Sequence, residues 1–150
     1  MKTLKIKKIH PDAITPTRAH KHDAGLDLYA LEDTQIRNGQ CGLVKTGIAV
    51  SVPKGYEAQV RPRSGMTLKT DFKVQLGTID SGYEGDVGII VYNADVRNLN
   101  KAAWISARTK IAQLVVSPIV TPTVEVVDDF ENESARGTNG FGSTDLKVRP

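Results

Sequence analysis

VKTGIAVSV, residues 44 to 52, has a side chain suited to a protein core at every second position. Successive side chains of a strand point to opposite faces of a sheet, so this period is typical of an extended chain with one face in a core. YEAQV, residues 56 to 60, has the same period. The residues that we expect on the inward faces of these two strands are Val44, Thr46, Ile48, Val50, Val52, Tyr56, Ala58 and Val60.

Two other stretches, DVGIIVYN (86 to 93) and KIAQLVVSPIV (110 to 120), are more continuously apolar. Such runs predict strands that are buried on both faces. The turn sequences between strands are RNGQ (37 to 40), PKG (53 to 55) and SGYEG (81 to 85). SGMTLKT (64 to 70) is the one stretch that we predict as a short helix. Short strands separated by such turns predict an all-β sandwich or barrel.

The bulk composition predicts one intracellular globular domain. The chain has 150 residues, 25% of them charged, and a formal net charge of only +3. This balance gives no reason to expect nucleic acid as a partner, although it permits a local basic pocket. No stretch approaches the roughly 18 apolar residues of a membrane span, and no apolar segment of a signal peptide follows the basic N-terminus. The single Cys41 fits a reducing compartment, so we expect a cytoplasmic location, or the host cytoplasm if the gene is viral.

The sequence RPRSG, residues 61 to 65, is a candidate anion site. Arginine presents a fixed fork of donors that suits phosphate, and a glycine lets a backbone N–H approach it closely. The alternative is a strand that ends in a solvated turn.

The sequence GTIDSGYEGD, residues 77 to 86, is a candidate catalytic segment. Asp80 follows the apolar Ile79 and precedes a glycine-containing turn that carries Tyr83. A carboxylate in this setting can act as a general base on water. The alternative is an aspartate that only forms the turn.

HDAGLDLYA, residues 22 to 30, places Asp23 and Asp27 around a glycine. Carboxylate oxygens suit magnesium, usually through intervening waters. The alternative is turn chemistry that leads into a strand. HKH, residues 20 to 22, could hold a transition metal, but a closed site needs about four ligands and no further Cys or His cluster accompanies it.

ARGTNGFGSTD, residues 135 to 145, combines an arginine, three glycines and a phenylalanine near the end of the chain. It is neither a Walker loop nor a Rossmann fingerprint, because no G-K-[ST] and no following helix are present. Arg136 and the amides around Gly140, Gly142 and Ser143 could still surround phosphates, while Phe141 stacks on a base. A disordered terminus is the alternative.

Taken in order, the stretches DAGLDLYA, RPRSGM, GTIDSGYEGDVGIIVYN, RTKIAQL and ARGTNGFGST resemble the five motifs of the trimeric deoxyuridine triphosphatases. The resemblance runs from about residue 22 to residue 144. It implies a jelly-roll-like β-barrel or sandwich over residues 1–134 and a glycine-rich lid, or arm, over residues 135–150. It also implies a homotrimer with shared active sites. The implied reaction is hydrolysis of dUTP to dUMP and pyrophosphate, with Mg²⁺ as cofactor and water attacking the α-phosphorus. This reaction removes dUTP and supplies dUMP for thymidylate synthesis.

The resemblance also implies a role for each matching residue. Asp80 would activate the attacking water, Tyr83 would pack under the deoxyribose and exclude a 2′-hydroxyl, and Asp27 would lie near the metal, largely through water. The main chain of the hairpin from Val74 to Ile79, with Gly77 and Thr78, would pair with the uracil edge. The residues implied to contact phosphate are Arg63, Ser64, Gly65, Gln113, Arg136, Gly142 and Ser143, and Phe141 would lie over the uracil.

Three of the motifs depart from the family pattern. Val74 stands where the family often has Asn, so only its backbone can serve there. Arg108, Thr109 and Lys110 stand where the fourth motif usually has G-[DE]-R, which keeps a cation but not the glycine. Asp145 stands where the fifth motif closes with Gly.

Two alternatives to a dUTPase follow from the same resemblance. The deoxycytidine triphosphate deaminases share the fold, but their catalytic Glu lies three residues before an Asn at the end of the strand after the hairpin. Counting back from Asn93, this chain has Ile90 there, and an isoleucine cannot transfer protons. The other alternative is a regulatory member of the fold that binds a partner protein, in addition to or instead of catalysis.

Overall fold

The computed structural model describes residues 3 to 130 and residue 137. Within this part of the chain it has ten strands and one short helix. They are β1 (Lys5–Lys8), β2 (Gly25–Tyr29), β3 (Thr34–Arg37), β4 (Cys41–Ser51), β5 (Tyr56–Pro62), α1 (Ser64–Lys69), β6 (Phe72–Val74), β7 (Gly77–Ile79), β8 (Asp86–Asn93), β9 (Ala102–Ile105) and β10 (Lys110–Pro118). Most of the predicted arm, including Arg136, Phe141, Gly142 and Ser143, lies outside the described residues, as does the predicted boundary at residue 134.

The strands form two four-stranded antiparallel sheets and a two-stranded ribbon. The first sheet has the order β1-β4-β8-β6, the second has the order β2-β10-β5-β7, and β3 pairs with β9 in the ribbon. This is the predicted all-β, jelly-roll-like fold. None of the described helical structure is long and apolar enough to cross a membrane.

A single core joins the two sheets. Its fully buried side chains include Val44 and Ile89 from the first sheet and Leu28 and Leu114 from the second. The period-two prediction for residues 44 to 52 is confirmed, because all five predicted inward residues are buried. The pairing of β4 with β8 shifts at a bulge between Lys45 and Ala49, where Gly47 takes a φ of 69°, and there the intervening Gly47 and Ala49 are buried as well. In β5, Ala58 and Val60 are buried and Tyr56 is half-buried, as predicted.

The prediction that β8 is buried on both faces is wrong. Its side chains alternate between buried and more exposed, and Ile90 is 52% exposed. A run of valines and isoleucines predicts a strand that is buried on both faces, but only one face of this strand contacts the core of its own chain. The same prediction holds for the middle of β10, where Ile111, Ala112, Leu114 and Val115 are buried on both faces and only Gln113 between them is partly exposed.

The predicted hairpin from Val74 to Ile79 is also wrong. β6 pairs with β8 in the first sheet, whereas β7 pairs with β5 in the second. The segment between them therefore crosses from one sheet to the other, and the backbone N–H of Gln75 still donates to Ile90 O (2.9 Å). Asp80 begins the return crossing from β7 to β8, so it lies at a turn between sheets rather than in a hairpin.

The turn before β10 keeps a left-handed backbone without a glycine. Arg108 has a φ of 68°, the only positive value among the described non-glycine residues. Its N–H donates to Ala30 O (2.8 Å), and Ala30 N–H donates to Thr109 O (2.9 Å). The tertiary contacts with Ala30 hold a conformation that an arginine disfavours.

Candidate active site

The predicted site residues line two separate clefts of the chain. The cationic cleft, of about 590 Å³, includes Asp27, Arg63, Ser64, Gly65, Lys69, Lys110 and Gln113. The Asp80 cleft, of about 410 Å³, includes Leu43, Gly77, Thr78, Ile79, Asp80, Tyr83 and Ile90. The two clefts share no lining residue. Val74 lines neither of these two clefts and is buried at the end of β6.

Three segments that are distant in sequence build the cationic cleft. Asp27 on β2 and Gln113 on β10 are direct cross-strand partners. Arg63 follows the end of β5, and Ser64 and Gly65 open α1, so the short helix predicted from the sequence is confirmed. Because β10 lies between β2 and β5 in the sheet, the ends of all three strands meet at this cleft.

Ion pairs organise the cations of this cleft. Asp27 Oδ1 lies 3.1 Å from Arg63 Nε, and Asp27 Oδ2 lies 2.8 Å from Lys110 Nζ. The hydrogen bond to Asp27, and then its negative charge, raise the pKa of Lys110 above its ordinary value. Lys110 therefore stays protonated throughout the neutral range. With Lys69, the cleft has three cations against the carboxylates of Asp23 and Asp27, which suits an anionic ligand.

Gln113 is held in place by a neighbouring glycine. Its Nε2 donates to Pro62 O (3.0 Å). A Cβ on Gly25 would lie 2.9 Å from Gln113 Cβ and 3.0 Å from Gln113 Cδ, closer than such carbon atoms approach. Gln113 thus packs in the space that a side chain at residue 25 would occupy.

Asp80 is exposed at the end of β7, beside a buried anchor. Ile79 is buried in the core and pairs with Ala58 of β5, which fixes the position at which the strand ends. The turn then closes with Tyr83 N–H donating to Asp80 O (3.1 Å). The carboxylate therefore sits on a short, well-anchored turn that faces the cleft rather than the core.

The ring of Tyr83 packs against Gly85. A Cβ on Gly85 would lie 2.5 Å from the Tyr83 hydroxyl oxygen and 2.6 Å from Cζ. The hydroxyl donates to Asp86 O (2.9 Å), which ties the ring to the start of β8. Both contacts hold a flat, half-exposed surface next to Asp80.

β6 and β7 are edge strands of their respective sheets. Each pairs on one side only within the described chain, so the other row of backbone N–H and C=O groups has no strand partner there. A free strand edge can pair with the polar edge of a flat heterocycle in the same way that it pairs with another strand.

The donors of the cationic cleft do not fit a magnesium ion held directly by the protein. Both oxygens of Asp27 already face a cation. Asp23 Oδ2 accepts a hydrogen bond from His20 N–H (2.8 Å), which closes a turn. In the described part of the chain, no group of three or more His, Cys, Asp or Glu side chains could hold a metal ion.

Sequence reasoning missed Lys69 and Gly25 in the cationic cleft and Gly85 beside the Asp80 cleft. Lys69 lines the cationic cleft, and its position four residues after Gly65 in the predicted helix was a signal that could have found it. Gly85 supports the Tyr83 ring, and no local pattern indicates this contact.

Comparisons with known proteins identify one family. A family model described as dUTPase matches residues 11–145. A deoxyuridine 5'-triphosphate nucleotidohydrolase of Clostridioides difficile is 45% identical over 96% of this chain and 99% of its own length. The corresponding enzyme of Clostridium acetobutylicum is 46% identical over 98% of this chain and 99% of its own length.

Solved structures show the same similarity. A dUTPase of Staphylococcus bacteriophage 80alpha, determined with dUPNHPP, has a TM-score of 0.90 and is 34% identical, with coverage of 97% of this chain and 100% of that one. A dUTPase mutant of phage phi11 of S. aureus, whose structure reveals the coordination of a structural Mg(II) ion, has a TM-score of 0.82 at 31% identity and covers 87% of this chain and 100% of its own. The match of the family model over most of the chain, together with relatives above 40% identity over nearly its full length, shows that the chain belongs to the dUTPase family.

Proposed function

We propose that this protein hydrolyses dUTP to dUMP and pyrophosphate, which removes dUTP and supplies dUMP for thymidylate synthesis. The observation that carries the proposal is the Asp80 turn: an exposed carboxylate beside the fixed ring of Tyr83, next to the open edge of β7, in a chain of the dUTPase family. The turn supplies a base for water, a surface for a sugar and an edge for a flat heterocycle at one place.

In the proposed reaction Asp80 orients a water molecule and accepts its proton. The water oxygen forms a bond to the α-phosphorus, the bond from that phosphorus to the bridging oxygen breaks, and pyrophosphate leaves. Phosphoryl transfer of this kind needs mainly positioning and stabilisation of charge. Arg63, Ser64, Gly65 and Gln113 are the proposed phosphate contacts, because they line the cationic cleft together.

Selection of the nucleoside would come from the Asp80 cleft. The backbone of Gly77, Thr78 and Ile79 would pair with uracil, and cytosine would leave those polar groups unpaired. Val74, by contrast, contributes a buried side chain and can offer only its backbone at the edge of β6. Tyr83 would lie under the deoxyribose, where its ring is held too firmly to admit a 2′-hydroxyl.

A homotrimer with shared active sites is part of the proposal. In one chain the phosphate residues and the nucleoside residues line different clefts, so one chain does not assemble the site alone. Leu43 and Ile90, which are direct partners on β4 and β8, remain 59% and 52% exposed at the Asp80 cleft. Subunit contact there would bury these side chains and bring a neighbour's phosphate residues toward Asp80.

The C-terminal arm would complete the site as a lid. Arg136 would contact phosphate, the amides of Gly142 and Ser143 would surround it, and Phe141 would lie over the uracil. Closure would exclude water from the triphosphate and strengthen the electrostatic contacts to it. These four residues lie outside the described residues, so this part of the proposal depends on the family resemblance.

Mg²⁺ enters the proposal as an ion carried by the triphosphate, where it would offset negative charge on the phosphate oxygens. The ion commonly keeps several waters and binds through substrate phosphates, so this role does not require the predicted contact with Asp27 through water. A cytoplasmic location belongs to the same proposal, because the exposed free thiol of Cys41 suits a reducing compartment.

The test is a pyrophosphate-release assay with dUTP, dTTP, dCTP and UTP on the wild type and on Asp80→Asn. We expect turnover of dUTP alone. The variant should lose about 10²-fold or more in kcat while it still binds the non-hydrolysable analogue dUpNHpp, because only the proton acceptor is removed. Equal hydrolysis of UTP would contradict the role of Tyr83, and release of ammonia from dCTP would favour a deaminase instead.

A regulatory role is a second candidate function. The 80alpha protein belongs to a group described as phage dUTPases that control transfer of virulence genes, and it is 34% identical to this chain. A pull-down with and without nucleotide tests this candidate. A partner captured only in the nucleotide-free state would support it, and the absence of any specific partner in both states would count against it.

A further inference from the structure

Asp27 lies between two cations of the cationic cleft. Its carboxylate approaches Arg63 through one oxygen, at 3.1 Å, and Lys110 through the other, at 2.8 Å. The Asp27 side chain is only 11% exposed, whereas those of Arg63 and Lys110 are 34% and 43% exposed. The carboxylate is therefore enclosed, and the two cationic groups extend from it toward the cleft.

Arg63 is tied to the same place by a second bond. Its Nη1 donates to Lys110 O (3.0 Å) while its Nε faces Asp27, so two of the three nitrogens of the guanidinium have partners within the protein. A guanidinium is planar and has five N–H donors in a fixed fork. Contacts at two nitrogens thus fix the plane and set the direction of the three remaining donors.

The two cations repel each other without the carboxylate. The positive charge of Arg63 lowers the pKa of Lys110, and the hydrogen bond and charge of Asp27 more than offset this effect. Lys110 Nζ also lies 5.8 Å from the centre of the Tyr29 ring, which adds an attractive contact on its other side. Asp27 keeps two like charges in adjacent, fixed positions before any phosphate arrives.

We propose that Asp27 is a positioning residue that pre-arranges Arg63 and Lys110 for the triphosphate, and that it does not hold the magnesium ion. The inference rests on the proposed function, because it assigns a role within the same phosphate site. Its structural basis is that both carboxylate oxygens are already paired with cations. The phosphate site is then organised by protein charges, and the metal requirement belongs to the nucleotide.

The experiment compares wild type, Asp27→Asn, Lys110→Arg and Lys110→Met as full-length proteins. Calorimetry measures the Kd of dUpNHpp in EDTA and in Mg²⁺, and kcat and KM for dUTP are measured in parallel. Asp27→Asn should lower kcat on the order of 10- to 100-fold, because groups displaced by about 1 Å lose effectiveness on this scale. Its Kd for dUpNHpp should be no weaker than that of wild type, because a negative charge beside the phosphates is removed.

The magnesium dependence distinguishes positioning from metal binding. The ratio of Kd in EDTA to Kd in Mg²⁺ should be the same in Asp27→Asn and wild type. A ratio that falls toward one in the variant would overturn the proposal, since it would mean that Asp27 helps to hold the ion. The same experiment separates the two proposals: failure of wild type to hydrolyse dUTP would reject the proposed function, whereas the Kd ratio tests Asp27 without turnover.

The Lys110 variants keep the proposal testable if Asp27→Asn folds poorly. Lys110→Arg preserves a cation next to Asp27 and should retain kcat within a few-fold, whereas Lys110→Met should lose kcat. Asp27→Asn combined with Lys110→Met should lose less kcat than the product of the two single effects, because both changes disrupt one ion-pair network. Strictly multiplicative losses, or a Lys110→Arg variant as impaired as Lys110→Met, would contradict the positioning role.

Discussion

Gly25→Ala should disable Gln113 without removing it. The new Cβ would lie 2.9 Å from Gln113 Cβ and 3.0 Å from its Cδ, so the glutamine must leave its present rotamer and the paired strands β2 and β10 must also move slightly apart, because a rotamer change does not move Cβ. The move breaks the hydrogen bond from Gln113 Nε2 to Pro62 O. The predicted contact between Gln113 and phosphate is lost at the same time.

The magnitude follows from these two interactions. A neutral hydrogen bond contributes about 1 kcal/mol and a bond to a charged group about 1.5–3 kcal/mol. The lost phosphate contact, with part of the rotamer cost, corresponds to a decrease in kcat/KM of roughly 100-fold at 1.4 kcal/mol per factor of ten. The loss of the Pro62 bond should by itself lower the melting temperature by about 2–4 °C, and the shift of the strands adds to this decrease.

The assay is steady-state pyrophosphate release by wild type, Gly25→Ala, Gln113→Ala and the double variant, with circular dichroism to verify folding. If Gly25 acts through Gln113, the double variant should be no slower than Gln113→Ala alone. Full activity of Gly25→Ala would refute the steric reasoning. A double variant much slower than Gln113→Ala would show instead that Gly25 acts on another part of the cleft.

Three further predictions concern other parts of the chain. Gly85→Ala should displace the Tyr83 ring, because the added Cβ would lie 2.5 Å from its hydroxyl oxygen. The ratio of kcat/KM for UTP to kcat/KM for dUTP should then rise by about tenfold. An unchanged ratio in an assay with both substrates would argue against a role of the ring in excluding the ribose 2′-hydroxyl. Arg108→Gly should stabilise the protein by about 0.5–1 kcal/mol, because removing the strain of an arginine in the left-handed region outweighs the added entropy of a glycine in the unfolded chain. A lower melting temperature of the variant in a thermal scan would disprove this. Deletion of residues 135–150 should abolish most dUTP turnover. The number of subunits in the assembly, determined from its mass by light scattering, should stay the same. Full turnover by the truncated protein would reject the lid.

Local sequence patterns were sufficient to predict the four longest strands and to name the candidate reactive residues. The period of two from Val44 to Val52 depends only on the alternation of side chains along an extended chain, so it can be recognised without knowing the partner strand. The segment around Asp80 and Tyr83, and its order among the other motifs, likewise needs only the letters of the chain to indicate the family.

The tertiary structure alone decided which strands pair and which charges meet. β6 and β7 lie two residues apart in sequence but belong to different sheets, because long-range backbone pairing with β8 and β5 outweighs the local tendency to close a hairpin. Ile90 looks like a core residue in sequence, yet it faces outward because its strand meets the core on one side only. Asp27, Arg63 and Lys110 come from β2, the end of β5 and β10, and only the order of these strands in the sheet places one carboxylate between two cations. Periodicity carries information about one strand at a time, whereas a site made of several strand ends depends on the register between them.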